Sequence, residues 1–186
     1  MEPSDADLVR QCLQGDNVGF DLLVKRYQKQ VYGLCYRMLG DADEAADAAQ
    51  ESFVKAYNAL AGFRLDAKFL TWMFRIANNT CIDMSRQRKS RQTVSLDDMA
   101  GEPSVPDSPD GPEETVLRGE SDRLVQEAVS RLPEKYRTAL VMFHFSGMSI
   151  RDISKAIGRP EGTVKSDLHI AREMLRQKLE GVVADL

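Results

Sequence analysis

The chain has 186 residues, 42% of them hydrophobic and 29% charged, and a formal net charge of −4 at pH 7. This composition is typical of a soluble globular protein, and no apolar run approaches the ~18 residues of a membrane span. Residues 1–10 lack the basic and then apolar layout of a signal peptide, so we expect a cytoplasmic protein without direct membrane insertion.

The small net charge hides a strong sorting of charge along the chain. Residues 63–92 carry seven basic and two acidic side chains, whereas residues 93–131 carry three basic and ten acidic ones. A phosphate backbone responds to the local potential more than to the sum. The acidic total therefore does not exclude a nucleic-acid partner.

Four helices are predicted in the first half of the chain, because apolar residues recur there at three- and four-residue spacing. Ser4 or Asp5 can begin the first, which ends at Gly15, and Gly40 and Asp41 separate the second from the third. The second, third and fourth helices are predicted at about 18–39, 42–60 and 68–91.

A linker is predicted after these helices. Residues 93 to about 115 contain four prolines, two glycines and many acids, with almost no apolar periodicity. Such a segment cannot bury enough surface to offset its ordering entropy. We therefore expect domains at 1–92 and 118–186, joined by a flexible linker at 93–117.

The last third of the chain predicts a helix-turn-helix. Two helices are expected near 121–130 and 133–145, and Ser149 can cap the next one. Gly158 permits a tight turn, and the final helix starts at Arg159-Pro160. Residues facing inward are predicted to be Ile150, Ile153, Ile157, Val164 and Leu168.

The predicted fold class is all-α, because β-branched residues never cluster in a run bounded by turns. It comprises two small helical domains joined by an acidic linker rich in proline and glycine, with the helix-turn-helix in the second domain.

The final helix is a candidate DNA reader. Hydroxyl side chains suit phosphate contacts, and basic ones can reach guanine edges or phosphates. The alternative is an ordinary helical corner with a solvated face. The residues expected to point outward are Thr163, Lys165, Ser166, His169 and Arg172.

Residues 63–91 interleave aromatic and basic side chains, a composition that suits unstacked single-stranded bases. Asn78 and Asn79 could bond a base edge. We expect four of the apolar side chains to be core: Phe69, Trp72, Met73 and Ile76. A core does not explain the other notable residues, which are Phe63, Arg64, Asp66, Asn79, Arg86, Arg88, Lys89 and Arg91.

No cofactor or metal site is predicted. Cys12, Cys35 and Cys81 are dispersed and form no CxxC, so we interpret them as small buried apolar residues. The acids of residues 41–60 lie at helical spacing but lack a histidine or second acidic helix to complete a metal site. By themselves they indicate only a solvated helix face.

Three stretches in order resemble the extracytoplasmic-function sigma factors of bacterial RNA polymerase. The pattern YxxxVYxLxxRxLGDxxEAxDAxQExFxxA lies within residues 27–56, and the segment FLTWMFRIANNTCIDMSR spans residues 69–86. Residues 132–172 carry LPxxxR, followed by GxSxxxI and GTVKSxLxxAR. Together the matching stretches and their surroundings cover about four fifths of the chain.

The resemblance implies a protein that binds core polymerase, recognises and opens promoter DNA, and is held by an anti-sigma factor that can keep it at the membrane. It implies contact with the largest-subunit clamp through Asp47, Gln50, Glu51 and Phe53. It implies capture of flipped promoter bases by Phe63, Arg64, Asp66, Asn79, Asp83 and Arg86. The helix-turn-helix would read the upstream element as duplex, and its domain would touch the polymerase flap.

Two positions depart from the pattern of the family, and three functions other than that of a sigma factor stay open. Asp167 and Ile170 stand where many relatives have basic residues, and an acid facing phosphate would be repulsive. A conventional helix-turn-helix regulator would bind duplex DNA without polymerase, and an interaction module would never capture polymerase. Catalysis is disfavoured, because the chain has two histidines and neither a glycine-rich phosphate loop nor GxSxG.

Overall fold

The computed structural model describes residues 3–94 and 122–184, with side chains from 3–90 and 122–180. Its helices are α1 (Asp5–Leu13), α2 (Val18–Leu39), α3 (Ala42–Ala59), α4 (Phe69–Val94), α5 (122–130), α6 (Glu134–Leu140), α7 (Ile150–Ile157) and α8 (Glu161–Ala184). A short 3₁₀ helix, Leu60–Gly62, follows α3, and a π-helical segment, Val141–Phe145, extends α6. No strand occurs in the described ranges, so the predicted all-α class is confirmed.

Local signals in the sequence set the helix ends. The Ser4 hydroxyl accepts from the Asp7 amide at 3.2 Å, and the Asp41 carboxylate accepts from the Glu44 amide at 2.9 Å. Gly40 ends α2 with φ +80°, a left-handed conformation that glycine adopts without strain. The predicted boundary between α2 and α3 is confirmed.

The N-terminal domain is a four-helix body in which α2 packs against α1, α3 and α4. Its buried side chains include the predicted Phe69 and Met73, and also Phe74, which is 1% exposed and was missing from the predicted stripe. Asp5 on α1 accepts from Arg26 and from the Tyr27 hydroxyl on α2, each at 2.6 Å. Burial and the Asp5 contact raise the pKa of Tyr27 to about 12.

The C-terminal domain contains the predicted helix-turn-helix. Ser149 caps α7 by accepting from the Asp152 amide at 3.1 Å, and Gly158 ends it with φ +67°. Val164 and Leu168 of α8 are buried, as predicted. Most of the predicted linker, residues 95–117, lies outside the described residues, and α4 continues to Val94, just past the predicted start of the linker.

The two domains pack against each other. The Arg37 guanidinium lies over the Phe145 ring at 4.4 Å and 3.7 Å from the Asp122 carboxylate. The Gln126 side-chain amide donates to the backbone oxygen of Tyr36 at 2.9 Å. These contacts join α2 to α5 and the π-helical segment, while α4 meets α7.

Gly19 gives a test of the α1–α2 packing. A Cβ built on Gly19 would lie 2.4 Å from the backbone oxygen of Leu8, so α1 would have to move. We expect Gly19→Ala to lower the free energy of unfolding by about 1–3 kcal/mol, the range for overpacking. Chemical denaturation of the full chain measures this.

Gly33→Ala is the matched control on the same helix, because no atom lies within 4 Å of its built Cβ. There alanine should be neutral or stabilise by up to about 1 kcal/mol through helix propensity. Equal destabilisation by both substitutions would contradict the close approach of α1.

Candidate nucleic-acid interface

The strip of polar residues on α3 faces outward. Asp47, Gln50 and Glu51 are exposed, and the Lys55 ammonium pairs with Glu51 at 2.7 Å and donates to Thr80 at 3.2 Å. Glu51 and its neighbours thus form an acidic surface one helix turn long, available to a partner.

The structure places Phe53 away from this strip. It is 8% exposed, and its ring meets the Phe20 ring edge-on at 6.5 Å. Phe53 was assigned to the partner surface with the acids, but its side chain belongs to the core, because it is turned toward Phe20. The exposed apolar residues that continue the strip are Val54 and Tyr57, at three and six residues after Glu51. Helical spacing could have identified both.

The residues of the loop before α4 separate into core and surface. The expectation that a core does not explain Phe63 is wrong: it is 8% exposed and packs on the rings of Phe69 and Trp72, at 5.7 and 5.0 Å. Arg64 and Asp66 are exposed and form a two-point ion pair at 2.7 and 3.2 Å. The Arg64 hydrogen bond lowers the pKa of Asp66, which therefore stays ionised.

The face of α4 that we call the outer face presents Asn79, Asp83 and Arg86, all exposed, at spacings of four and three residues, although Asn79 and Arg86 also line the cavity between the domains. Arg88 is also exposed and pairs with Glu44 at 2.9 Å. Asn79, Asp83 and Arg86 share one side of the helix, whereas Arg88, nine residues after Asn79, lies on the opposite side. The structure thus brings together an amide, an acid and a cation along one line.

Asn78 behaves differently from Asn79. It is 3% exposed, and its Oδ1 has no hydrogen-bond partner among the described residues. It lines a cavity of about 290 Å³ between α4 and the C-terminal domain, which we call the interdomain cleft. Across this cleft Arg86 contacts Glu134 at 3.4 Å. The packing of the two domains therefore covers Asn78.

On α8, four of the five predicted readers are exposed and unobstructed by the rest of the domain: Thr163, Lys165, Ser166 and His169. Ser166 donates to the Gly162 oxygen at 3.1 Å. Arg172 is exposed but already engaged, since it donates to His144 at 3.0 Å and lies 5.4 Å from the Phe143 ring.

Asp167 does not face outward. It is 6% exposed and accepts from Arg159 at 2.8 Å. The expected repulsion between this acid and phosphate is therefore wrong, because its charge is neutralised inside the helix-turn-helix. Ile170 is 39% exposed beside His169.

An apolar groove of about 780 Å³ lies between the π-helical segment and the second half of α8. Its floor contains Leu140, Leu175 and Leu179, and its rim carries Arg172 and Arg176. Arg172 was predicted from the sequence as a DNA contact, and the sequence pattern did not predict this groove.

The cysteines lie largely inside the N-terminal domain. Cys35 and Cys81 are buried and Cys12 is partly exposed, as their interpretation as apolar residues predicted. Contact with Cys35 and burial raise the pKa of the Cys81 thiol. Within the described ranges, no group of three or more His, Cys, Asp or Glu residues is placed to hold a metal ion, and no helix is long and apolar enough to cross a membrane.

Comparison with known proteins identifies both domains. The Sigma-70 region 2 family matches residues 23–91, and the Sigma-70 region 4 family matches residues 122–175. The RNA polymerase sigma-H factor of Pseudomonas aeruginosa is 38% identical over 99% of this chain and 98% of its own. The ECF RNA polymerase sigma factor SigW of Bacillus subtilis is 37% identical over 92% and 94%.

Two solved structures share the fold. CnrH in complex with the cytosolic domain of CnrY superposes with a TM-score of 0.73 at 23% identity, covering 96% of this chain and 99% of that one. The sigma factor RpoE from Bartonella quintana, in complex with the anti-sigma factor NepR, has a TM-score of 0.73 at 20% identity, covering 87% and 96%.

The contact between Arg172 and His144 predicts a pH dependence. Burial, and then the Arg172 charge, lower the pKa of His144 from 6.5. The unfolded chain therefore binds this proton at a higher pH than the folded chain, so the stabilisation present above about pH 6.5 is lost as the pH falls through the folded value. Between pH 7.5 and 5, the midpoint temperature of thermal unfolding should fall less for His144→Gln than for the wild type.

His169→Gln, which changes the chain's other histidine, is the control. An identical pH dependence in the wild type and His144→Gln would show that this histidine does not contribute.

Proposed function

The chain belongs to the extracytoplasmic-function (ECF) sigma factors of RNA polymerase, and we propose that three separate surfaces of its two domains divide the family's work of polymerase binding, promoter opening and upstream recognition. Sigma factors are DNA-binding transcription initiation factors. This chain accordingly binds core polymerase and directs promoter recognition, melting and initiation, and we assign it no catalytic residue and no cofactor.

The α3 strip is the surface we assign to the polymerase clamp. Asp47, Gln50 and Glu51 are exposed together, and their charge suits a basic partner. In the C-terminal domain, we assign the apolar groove to the polymerase flap, because its leucine floor suits the apolar face of an amphipathic segment.

The outer face of α4 is the surface we assign to the flipped bases of the near-start promoter element. The observation that carries this role is the single line of Asn79, Asp83 and Arg86 on exposed helix. An amide and a cation at this spacing can bond a base edge and a phosphate of one strand. Phe63 supports this face from beneath by packing under Trp72.

Asn78 can take part only after a rearrangement. It is 3% exposed while the domains are packed together. We therefore propose that the domains separate when the protein engages polymerase and promoter. Arg37, Gln126 and Arg86 would exchange their interdomain contacts for water or for new partners.

The exposed face of α8 is the surface we assign to the upstream duplex element. Lys165 and His169 lie on adjacent turns, with Thr163 nearer the helix start and Ser166 between them. Because Arg172 is held by His144, it lies at the edge of this face, where it can reach a backbone phosphate more readily than a base.

We further propose that an anti-sigma factor covers these surfaces in the resting cell, as the relative from Bartonella quintana is bound by one. We place the protein in the cytoplasm with its polymerase. An anti-sigma factor anchored in the membrane would hold it at the membrane surface. The domain limits we propose are 1–92 and 118–186, with 93–117 as the linker.

A reconstituted transcription assay tests the function. Purified protein plus core polymerase should initiate from a cognate promoter, whereas either alone should not. Duplex binding without any effect on polymerase would instead favour a conventional helix-turn-helix regulator, and failure to bind polymerase at all would contradict the proposal.

Asn79→Ala tests the α4 face. It should slow promoter opening, measured by permanganate reactivity of unpaired thymines, about tenfold or more, while changing polymerase affinity little. Gln28→Ala removes an exposed amide from α2 and is the matched control. Equal loss of opening and polymerase binding would remove Asn79 from base contact.

Gln50→Ala combined with Glu51→Ala tests the α3 strip. The double substitution should weaken polymerase binding at least about tenfold, or about 1.4 kcal/mol, because the basic partner surface loses the carboxylate and the amide that it contacts. Asp21→Ala with Gln28→Ala makes the same chemical change on exposed α2 positions and is the control. Unchanged affinity in calorimetry would take these residues out of the interface.

A further inference from the structure

The interdomain cleft is built from both domains. One wall is α4, which contributes Arg75, Asn78, Asn79 and Arg86, and the other is formed by α6 and the turn from α7 to α8. Its volume of about 290 Å³ lies near the lower end of small-molecule pockets, about 300–1,000 Å³. Because its two walls belong to different domains, the cleft exists only while the domains are packed together.

Positive charge exceeds negative charge in this cleft. Arg75 and Arg86 on the α4 wall face Lys135 and Arg159 on the other, and Glu134 is the one acid among the described lining residues. Arg86 and Arg159 each have an acidic partner, so the surplus lies on Arg75 and Lys135, and an anion between the walls would be attracted to both.

The internal ion pairs do not neutralise the surplus. Glu134 pairs with Arg86 at 3.4 Å, and Asp167 pairs with Arg159 at 2.8 Å from behind the wall. Lys135 lies over the Tyr136 ring at 4.5 Å, which provides no countercharge. Arg75 has no acidic partner among the described residues.

Two buried polar atoms in the cleft also lack partners. They are Oδ1 of Asn78 and Oγ1 of Thr138, in side chains that are 3% and 5% exposed. A buried polar atom left unbonded costs about 1–3 kcal/mol. Both side chains line the cleft, so a molecule bound there could satisfy them.

We propose that the interdomain cleft binds a small nucleoside phosphate. The phosphate oxygens would lie among Arg75, Lys135 and Arg159, and an N–H group of the base would donate to the free oxygen of Asn78. Thr138 can donate to a phosphate or base oxygen. A molecule that combines an anion with a donor ring edge matches both observations, which neither inorganic phosphate nor a nucleoside alone does.

The ligand would hold the two domains together, because its contacts come from both walls. A second consequence rests on the surface roles proposed above: the bound ligand would keep Asn78, Asn79 and Arg86 from promoter DNA. The nucleoside phosphate and the near-start element would then compete for the same side of α4.

Thermal unfolding and calorimetry of the full chain test the site. The probes are 5′-GMP and 5′-AMP, with guanosine, adenosine and inorganic phosphate as comparisons. At least one nucleotide should raise the unfolding midpoint progressively with concentration, since a ligand bound only to the folded state stabilises it by mass action. The nucleosides and inorganic phosphate should produce a clearly smaller shift.

Lys135→Glu and Arg75→Ala should each weaken nucleotide binding at least tenfold, and Lys178→Glu, the same charge reversal on α8 away from the cleft, should leave it unchanged. A fluorescence pair placed on the two domains should report a shorter mean distance with nucleotide bound. No midpoint shift at millimolar nucleotide, an equal shift with inorganic phosphate, or full affinity in Lys135→Glu would overturn the proposal.

The binding measurement uses neither polymerase nor promoter, so its outcome is independent of the transcription assay. A chain that initiates transcription but binds no nucleotide would refute the cleft alone. A chain that binds nucleotide through Lys135 but never initiates would refute the proposed function and leave the site standing.

Discussion

The contact of Arg37 with Phe145 helps to hold the two domains together, and their packing decides which surfaces of the molecule are exposed. It joins the last turns of α2 to the π-helical segment of the other domain, and Asp122 and Gln126 complete the same guanidinium's surroundings. A cation over an aromatic ring contributes about 0.5–2 kcal/mol depending on its exposure. This contact adds modestly to the packing of the domains, whose buried apolar side chains form one continuous cluster.

Because this contact is modest, the same residues can be covered while the domains are packed together and exposed when they separate. Asn78 and the cleft side of Arg86 belong to a covered surface when the domains are together, and they lie on the DNA-facing side of α4 in the proposed working state. The α3 strip and the outer face of α8 are exposed in either arrangement. Regulation through domain packing would therefore act on promoter opening more directly than on polymerase docking.

Much of the fold was predictable because its determinants are local. Gly40 with Asp41, and Ser149 with Gly158, fix helix ends through hydrogen bonds within a few residues of sequence. Apolar periodicity located α2 and α3 within a residue. The linker prediction rests on residues that are largely outside those described, so it stays a prediction.

The errors at the site have a different origin. Phe53, Phe63 and Asp167 each lie in a motif among exposed residues, and motif membership does not say which way one side chain points. Phe53 is turned into the core toward Phe20, Phe63 fills space beside Trp72, and Asp167 finds Arg159 eight residues earlier. Asn78 and Asn79 are adjacent in sequence and both line the cleft, yet Asn78 is buried and Asn79 is exposed, because they point about 100° apart around α4.

The ion pair of the half-exposed Arg159 with the buried Asp167 also bears on how promoter preference could change in this chain. Asp167 lies within the segment whose exposed neighbours we assign to the upstream duplex, but its partner lies before α8 begins. Exchanging residues 163–169 for those of a relative with a different preference would leave the Arg159 guanidinium without its countercharge unless position 159 changed as well. Successful specificity grafts onto this scaffold should thus begin at least four residues upstream of the DNA-facing surface.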